Sequence, residues 1–80
     1  MAIKDIRDYR PILQAAIEHE ETHGRDNIYL GWEWHDVRAY PATLMKLVIE
    51  GVIKVNFKSN STTAYLLVDK GKTKTALAAS

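Results

Sequence analysis

The sequence contains no cysteine and no long uninterrupted apolar run. The first absence excludes disulfide bridges and thiolate metal sites, so the fold must depend on core packing. The second excludes a transmembrane helix, which needs roughly 18 apolar residues. Because segment 1–5 already contains an acidic residue, Asp5, and lacks the apolar stretch of a signal peptide, we expect a soluble, cytoplasmic protein.

The chain has 80 residues, of which 46% are hydrophobic. This length and composition are sufficient for one small domain. The net charge of +1 hides an uneven distribution. Residues 1–37 carry four basic and eight acidic groups, a balance of −4, whereas residues 38–80 carry seven and two, a balance of +5. This polarity suggests a face that meets an anionic partner, although a chance excess of surface lysines is the alternative.

The first helical pattern runs from about Tyr9 to His23. Asp8 is a candidate N-cap, and Gly24 is a candidate stop. Ile3 and Ile6 are expected in a short preceding turn or helix that packs on the same core. The apolar members of a helically spaced set, Tyr9, Leu13, Ala16 and Ile17, are predicted to form one buried stripe.

Two shorter segments follow. Ile28–Leu30 is β-branched and aromatic and ends at Gly31, which predicts a short strand. Residues 32–38 predict a two-turn helix with Trp34 and Val37 directed inward. Trp32, Trp34 and His35 form an aromatic group that is typical of a small core, with stacking on an unpaired base as the alternative.

The clearest helix runs from Pro41 to Glu50. Proline suits a first helical position, and Gly51 suits the left-handed position that ends a helix. The inward stripe is formed by Leu44, Leu47 and Val48, and the exposed side is expected to carry Ala42, Thr43, Lys46 and Glu50.

A β-hairpin is predicted next. In Val52–Phe57 the apolar residues alternate, which places Ile53, Val55 and Phe57 on one face. Residues 58–62 form a polar turn, and Thr63–Val68 returns as the second strand. Tyr65 belongs either to the apolar face or to the exposed side. Residues 69–80 form a basic tail that either continues as a short helix or frays.

The order of helix, short strand, two helices and hairpin resembles the winged-helix branch of the helix-turn-helix superfamily. The resemblance covers about residues 9–68, and its most specific part is residues 41–53. There the third helix ends in Leu-x-x-x-Gly-apolar-apolar and leads directly into the wing. It implies an α+β fold for residues 1–68, with a three-helix core, a short strand and a two-stranded wing.

The resemblance also implies binding of double-stranded DNA, in transcription or DNA processing, through the third helix and the wing. The candidate residues on and before the helix are Arg38, Tyr40, Thr43 and Lys46. Those of the wing are Lys54, Lys58, Ser59, Asn60, Ser61 and Thr62. Ammonium, hydroxyl and amide groups suit phosphate contacts, but they also occur in any exposed turn. Arg38 has a further alternative, an ion pair with Asp36 or Glu33.

The predicted recognition helix contains no Arg, Asn or Gln, which make the commonest contacts with bases. This absence predicts weak base specificity, or a helix that contacts protein. The alternative function is therefore a protein-interaction winged helix within a larger assembly. The sequence allows a monomer or a homodimer.

The segment His19-Glu20-x-x-His23 matches the zincin metalloprotease pattern. That chemistry also needs a third ligand and a substrate cleft, and His35 would supply the ligand only if folding brought it close. An exposed, charged helix end is the simpler interpretation. We therefore expect no catalytic residues, no metal, no cofactor and no enzymatic activity.

Overall fold

The computed structural model describes residues 6–79, which form an α+β fold with a two-stranded antiparallel sheet. A 3-10 helix, Ile6–Tyr9, precedes the first α-helix. The elements that follow are α1 (Arg10–His23), α2 (Trp34–Val37), α3 (Pro41–Ile49), β1 (Ile53–Lys58), β2 (Thr63–Leu67) and α4 (Lys70–Ala79). The turn expected around Ile6 is present, whereas Ile3 lies outside the described residues.

Helix α1 begins at Arg10 and ends at His23, close to its predicted bounds. The predicted cap, Asp8, is wrong: it lies inside the 3-10 turn, and Tyr9 occupies the capping position without a side-chain hydrogen bond. At the other end the Gly24 N–H donates to the Glu20 carbonyl at 2.7 Å. The predicted inward stripe is buried at Leu13, Ala16 and Ile17, whereas Tyr9 is half-buried against the core.

The strand predicted over Ile28–Leu30 is not present. The residue that pairs with the sheet is Trp32, whose N–H donates to the Tyr65 carbonyl at 3.0 Å and whose carbonyl accepts from the Tyr65 N–H at 2.8 Å. Gly31 explains the shift, because its φ of +131° and its contact with the Tyr65 carbonyl leave no room for a Cβ. The chain therefore pairs with β2 at Trp32, after the apolar residues 28–30 rather than within them.

Helix α2 has one turn, and the inward direction predicted for Trp34 is wrong. Trp34 is 47% exposed, whereas Trp32 is fully buried and stacks on Tyr65 at a centroid distance of 5.4 Å. The indole that this segment contributes to the core is therefore that of Trp32. Val37 is buried as predicted, and α2 ends at Arg38, which has a left-handed φ of 55°.

Helix α3 agrees with its prediction. It starts at Pro41, and the chain leaves it through Gly51, whose φ is 80°. Leu44 and Leu47 are fully buried, and the Val52 N–H donates to the Leu47 carbonyl at 3.0 Å. This hydrogen bond directs the chain from α3 into the hairpin.

The hairpin is present, but its predicted apolar face is only partly right. Of the three alternating residues only Ile53 is buried, whereas Val55 and Phe57 are exposed. The pairing register shifts between Val55 and Phe57, so the alternation of faces breaks there. Asn56, at the shift, donates from its side chain to the Leu30 carbonyl at 2.8 Å. Across the sheet, Tyr65 is on the buried side.

The C-terminal segment is a helix that packs against α1. Leu77 of α4 is buried in the core, and its carbonyl accepts a hydrogen bond from the Arg10 guanidinium at 3.1 Å. The Lys74 ammonium lies 2.8 Å from the Glu21 carboxylate. Within residues 6–79, no helix combines the length and apolar character needed to cross a membrane.

Candidate nucleic-acid interface

Four basic residues of the predicted interface are exposed: Arg38, Lys46, Lys54 and Lys58. Among the described residues none of the four forms an ion pair with a carboxylate. Arg38 therefore does not pair with Asp36 or Glu33, as the alternative interpretation held. The carboxylates of those two residues lie beside His35 instead. The four cations are thus available to an anionic partner.

The exposed side of α3 is more apolar than expected. Met45 is 54% exposed and Ile49 is 76% exposed, and Tyr40, just before the helix, is 78% exposed. We call these three residues the α3 apolar strip. Met45 and Ile49 are four residues apart, and each lies two residues from the buried Leu47, on the far side of the helix from it, so a helical projection of the sequence would have identified them. Lys46 is exposed on the same helix, whereas Thr43 is half-buried.

The hairpin presents the remaining predicted residues. Ser59, Asn60 and Ser61 are exposed in the connection, whereas Thr62 is half-buried. The Ser59 N–H donates to the Thr62 carbonyl at 2.7 Å, and the Ser59 hydroxyl lies 3.4 Å from the same oxygen. These contacts close the turn and leave Asn60 and Ser61 at its tip.

The lysines of α4 are in a different environment. Lys74 hydrogen-bonds Glu21, and this contact, assisted by the charges of Lys74 and Lys70, holds the pKa of the Glu21 carboxyl below its ordinary value. Part of the basic charge of residues 38–80 is therefore neutralised by acidic α1. Lys74 therefore lies against the acidic helix and does not add to the charge of α3 and the hairpin.

A second group of polar side chains lies between α1 and α2. A cleft of about 740 Å³ is lined by His19, His23, Tyr29, Glu33, His35 and Asp36, together with neighbouring residues. His19 Nε2 lies 3.6 Å from Asp36 Oδ2, and His19 Nδ1 lies 2.8 Å from the Tyr29 hydroxyl. Burial, followed by the charges of Glu20 and Asp36, raises the pKa of Tyr29 to about 12. The phenol is therefore neutral at pH 7.

Glu20, the glutamate of the His-Glu-x-x-His pattern, has a structural role. Its Oε2 accepts hydrogen bonds from the Trp32 indole N–H at 3.0 Å and from the Leu67 backbone N–H at 2.8 Å. The carboxylate therefore joins α1 to the buried tryptophan and to β2. Both donors lie in the core, so this oxygen does not face a reactant in the cleft.

Comparison with known proteins adds no relative to this picture. No family model, no curated protein and no solved structure matches the chain.

Proposed function

We propose that this chain is a winged-helix module that binds double-stranded DNA through α3 and the β1–β2 hairpin. The element order supports the proposal, since the Trp32 bridge takes the place of the short strand between the first two helices. The observation that carries it is the set of four exposed cations on α3, on the turn before it and on β1, which form no ion pair with a carboxylate of residues 6–79.

The contacts available to DNA are mainly with phosphates. Lys46 would extend from α3 to a phosphate of the DNA backbone. Lys58 and the tip residues Asn60 and Ser61 would contact a flanking phosphate. Because α3 offers no Arg, Asn or Gln to the base edges, affinity depends on counterion release rather than on sequence. Binding should therefore weaken steeply as salt concentration rises.

The test compares two double variants that each remove two positive charges. Lys46→Ala with Lys58→Ala should weaken binding to random duplex DNA by about tenfold or more at low salt. It should also reduce the slope of log affinity against log salt by about 1.8, which corresponds to two phosphate contacts. The matched control, Lys72→Ala with Lys74→Ala on α4, should retain most of the affinity. Gel-shift titrations at two salt concentrations measure both quantities.

Two outcomes contradict the proposal. Equal losses in both double variants would mean that DNA responds to total charge and that α3 and the hairpin are not the interface. No binding of the unaltered chain at low salt would reject DNA as the ligand.

The second candidate is a protein-interaction module, and the α3 apolar strip favours it. Exposed Met and Ile side chains on one helix face suit an apolar partner surface better than a phosphate backbone. Met45→Ser with Ile49→Ser separates the two functions. Unchanged DNA affinity in this variant assigns the strip to protein, whereas weakened affinity places it against DNA.

A further inference from the structure

We propose that the cleft between α1 and α2 is a binding site for a divalent transition-metal ion of the zinc type, with Glu33, His35, Asp36 and His19 as ligands. The sequence alone predicted no metal, because His35 lies far from His19 along the chain. The fold brings both imidazoles to the carboxylate of Asp36. The site is independent of the proposed DNA interface.

Three of the ligands come from four consecutive residues. His35 Nε2 lies 3.4 Å from Glu33 Oε1, and His35 Nδ1 lies 3.5 Å from Asp36 Oδ1. One ligand atom from each of the three residues lies within 4.8 Å of the other two. Two ligands of a tetrahedral zinc ion, each bonded at about 2.0–2.1 Å, are separated by about 3.4 Å. His35 would give the ion only one of its two ring nitrogens, so the spacing of up to 4.8 Å would have to close by about 1.4 Å through side-chain rotation.

The backbone holds the Asp36 carboxylate in place. The Glu33 N–H donates to Asp36 Oδ2 at 2.8 Å, and the Asp36 N–H donates to the Glu33 carbonyl at 3.0 Å. These reciprocal hydrogen bonds form the start of α2 and orient the carboxylate that both imidazoles approach. This ligand therefore loses little conformational freedom when an ion binds.

His19 supplies the ligand from α1. Its Nδ1 is held by the Tyr29 hydroxyl at 2.8 Å, so Nε2 is the nitrogen that faces Asp36, at 3.6 Å. A ligating histidine usually has such an outer partner on its other nitrogen, which fixes the orientation of the ring. Tyr29 therefore acts as a positioning residue, and an ion in the cleft would connect α1 to α2.

The chemistry of the donors selects the class of ion. Two imidazoles with carboxylates suit Zn²⁺ and its neighbours in the first transition row, whereas Mg²⁺ and Ca²⁺ prefer ligand sets of oxygen alone. The charges in the cleft also favour a cation, because the acidic residues Asp26, Glu33 and Asp36 outnumber the one arginine, Arg25.

The test is a titration of the full chain with Zn²⁺. Calorimetry measures the affinity, and NMR of the histidine ring protons identifies the ligands. The unaltered chain should bind one ion saturably, with shifts in the ring signals of His19 and His35. His35→Ala and Asp36→Asn should each weaken binding by more than about tenfold, and Tyr29→Phe should weaken it by about tenfold through the misplaced His19 ring.

His23→Ala is the matched control. His23 lines the same cleft and its ring lies 4.6 Å from that of His19, but it has no ion pair with a carboxylate among the described residues. Its loss should leave Zn²⁺ affinity unchanged. The proposal is overturned if the unaltered chain shows no saturable binding. It is also overturned if His23→Ala abolishes binding while His35→Ala retains it, since the ion would then sit on α1 alone.

Discussion

Two sides of the molecule differ in how many contacts their side chains make within the fold. One side is formed by α1 and α4, and the other by α3 and the hairpin. On the first side Lys74 contacts Glu21, and Leu77 is buried. On the second side Lys46 has no carboxylate partner among the described residues, and Ile49 is largely exposed. The packing of α4 against α1 produces the contacts of the first side. The outward-facing residues of α3 and the hairpin have no comparable packing partner within residues 6–79.

Residue type alone does not identify a binding surface. Lys46 and Lys74 both contribute to the basic second half of the sequence, yet only Lys74 is neutralised within the fold. Substitutions should therefore act differently on the two kinds of position. Changes at paired or buried positions should lower stability, whereas changes at unpaired positions should affect binding and leave stability nearly unchanged.

The largest expected contrast lies within α3 itself. Leu47→Ala should lower the free energy of unfolding by about 3 kcal/mol, because Leu47 is fully buried and its truncation leaves a cavity. Ile49→Ala, two residues along the same helix, should change it by less than about 0.5 kcal/mol, since that side chain is exposed. Urea unfolding of both variants checks the contrast, and a similar cost at the two positions would show that Ile49 is packed.

The next effect concerns the carboxylate that joins α1 to β2. Glu20→Ala should cost about 2 kcal/mol of unfolding free energy, because it leaves the Trp32 indole N–H and the Leu67 N–H without their acceptor. Glu20→Gln is the control, since its amide oxygen has two lone pairs and can accept both bonds in place of Oε2, and it should cost less. Thermal unfolding measures both. Equal losses would mean that charge, rather than hydrogen bonding, is the important property of Glu20.

The smallest effect is expected at the Lys74–Glu21 pair. Lys74→Met should raise the pKa of Glu21 toward its ordinary value, because it removes the hydrogen bond and the charge that lower it. A carboxyl whose pKa is lowered in the folded chain stabilises the fold at a pH above its ordinary pKa. This stabilisation is lost as the pH falls through the lowered pKa. The pair is exposed, so its contribution is small.

Carboxyl NMR titration measures the pKa directly. Unfolding curves of the variant and the unaltered chain should differ slightly at neutral pH and converge in acid. A Glu21 pKa that stays low in Lys74→Met would show that another group holds it down.

Local patterns predicted α1 and α3 well. For α3, the prediction rests on Pro41, on the spacing of Leu44 and Leu47, and on Gly51, and each of these signals is local to the helix. The predictions that depend on contacts between distant segments were less accurate. The strand over Ile28–Leu30, the inward Trp34 and the buried face of Val55 and Phe57 were wrong.

Two of these errors involve pairing with β2. Trp32, rather than the more β-prone Ile28–Leu30, pairs with Tyr65, because Gly31 permits the close approach. Trp32 is therefore the indole that is buried, whereas Trp34 is 47% exposed. The register shift between Val55 and Phe57 separates Phe57 from the face of Ile53. Pairing between segments about 30 residues apart overrides local propensity.

The candidate sites divide along the same line. Sequence reasoning named the lysines of α3 and the hairpin as candidates and expected no metal at the three histidines. The folded chain shows what sequence order does not: Lys74 contacts Glu21, Lys46 has no carboxylate partner among residues 6–79, and His19 and His35 both approach the carboxylate of Asp36. Ion pairs and metal ligands must lie within a few ångströms in space, and packing sets those distances.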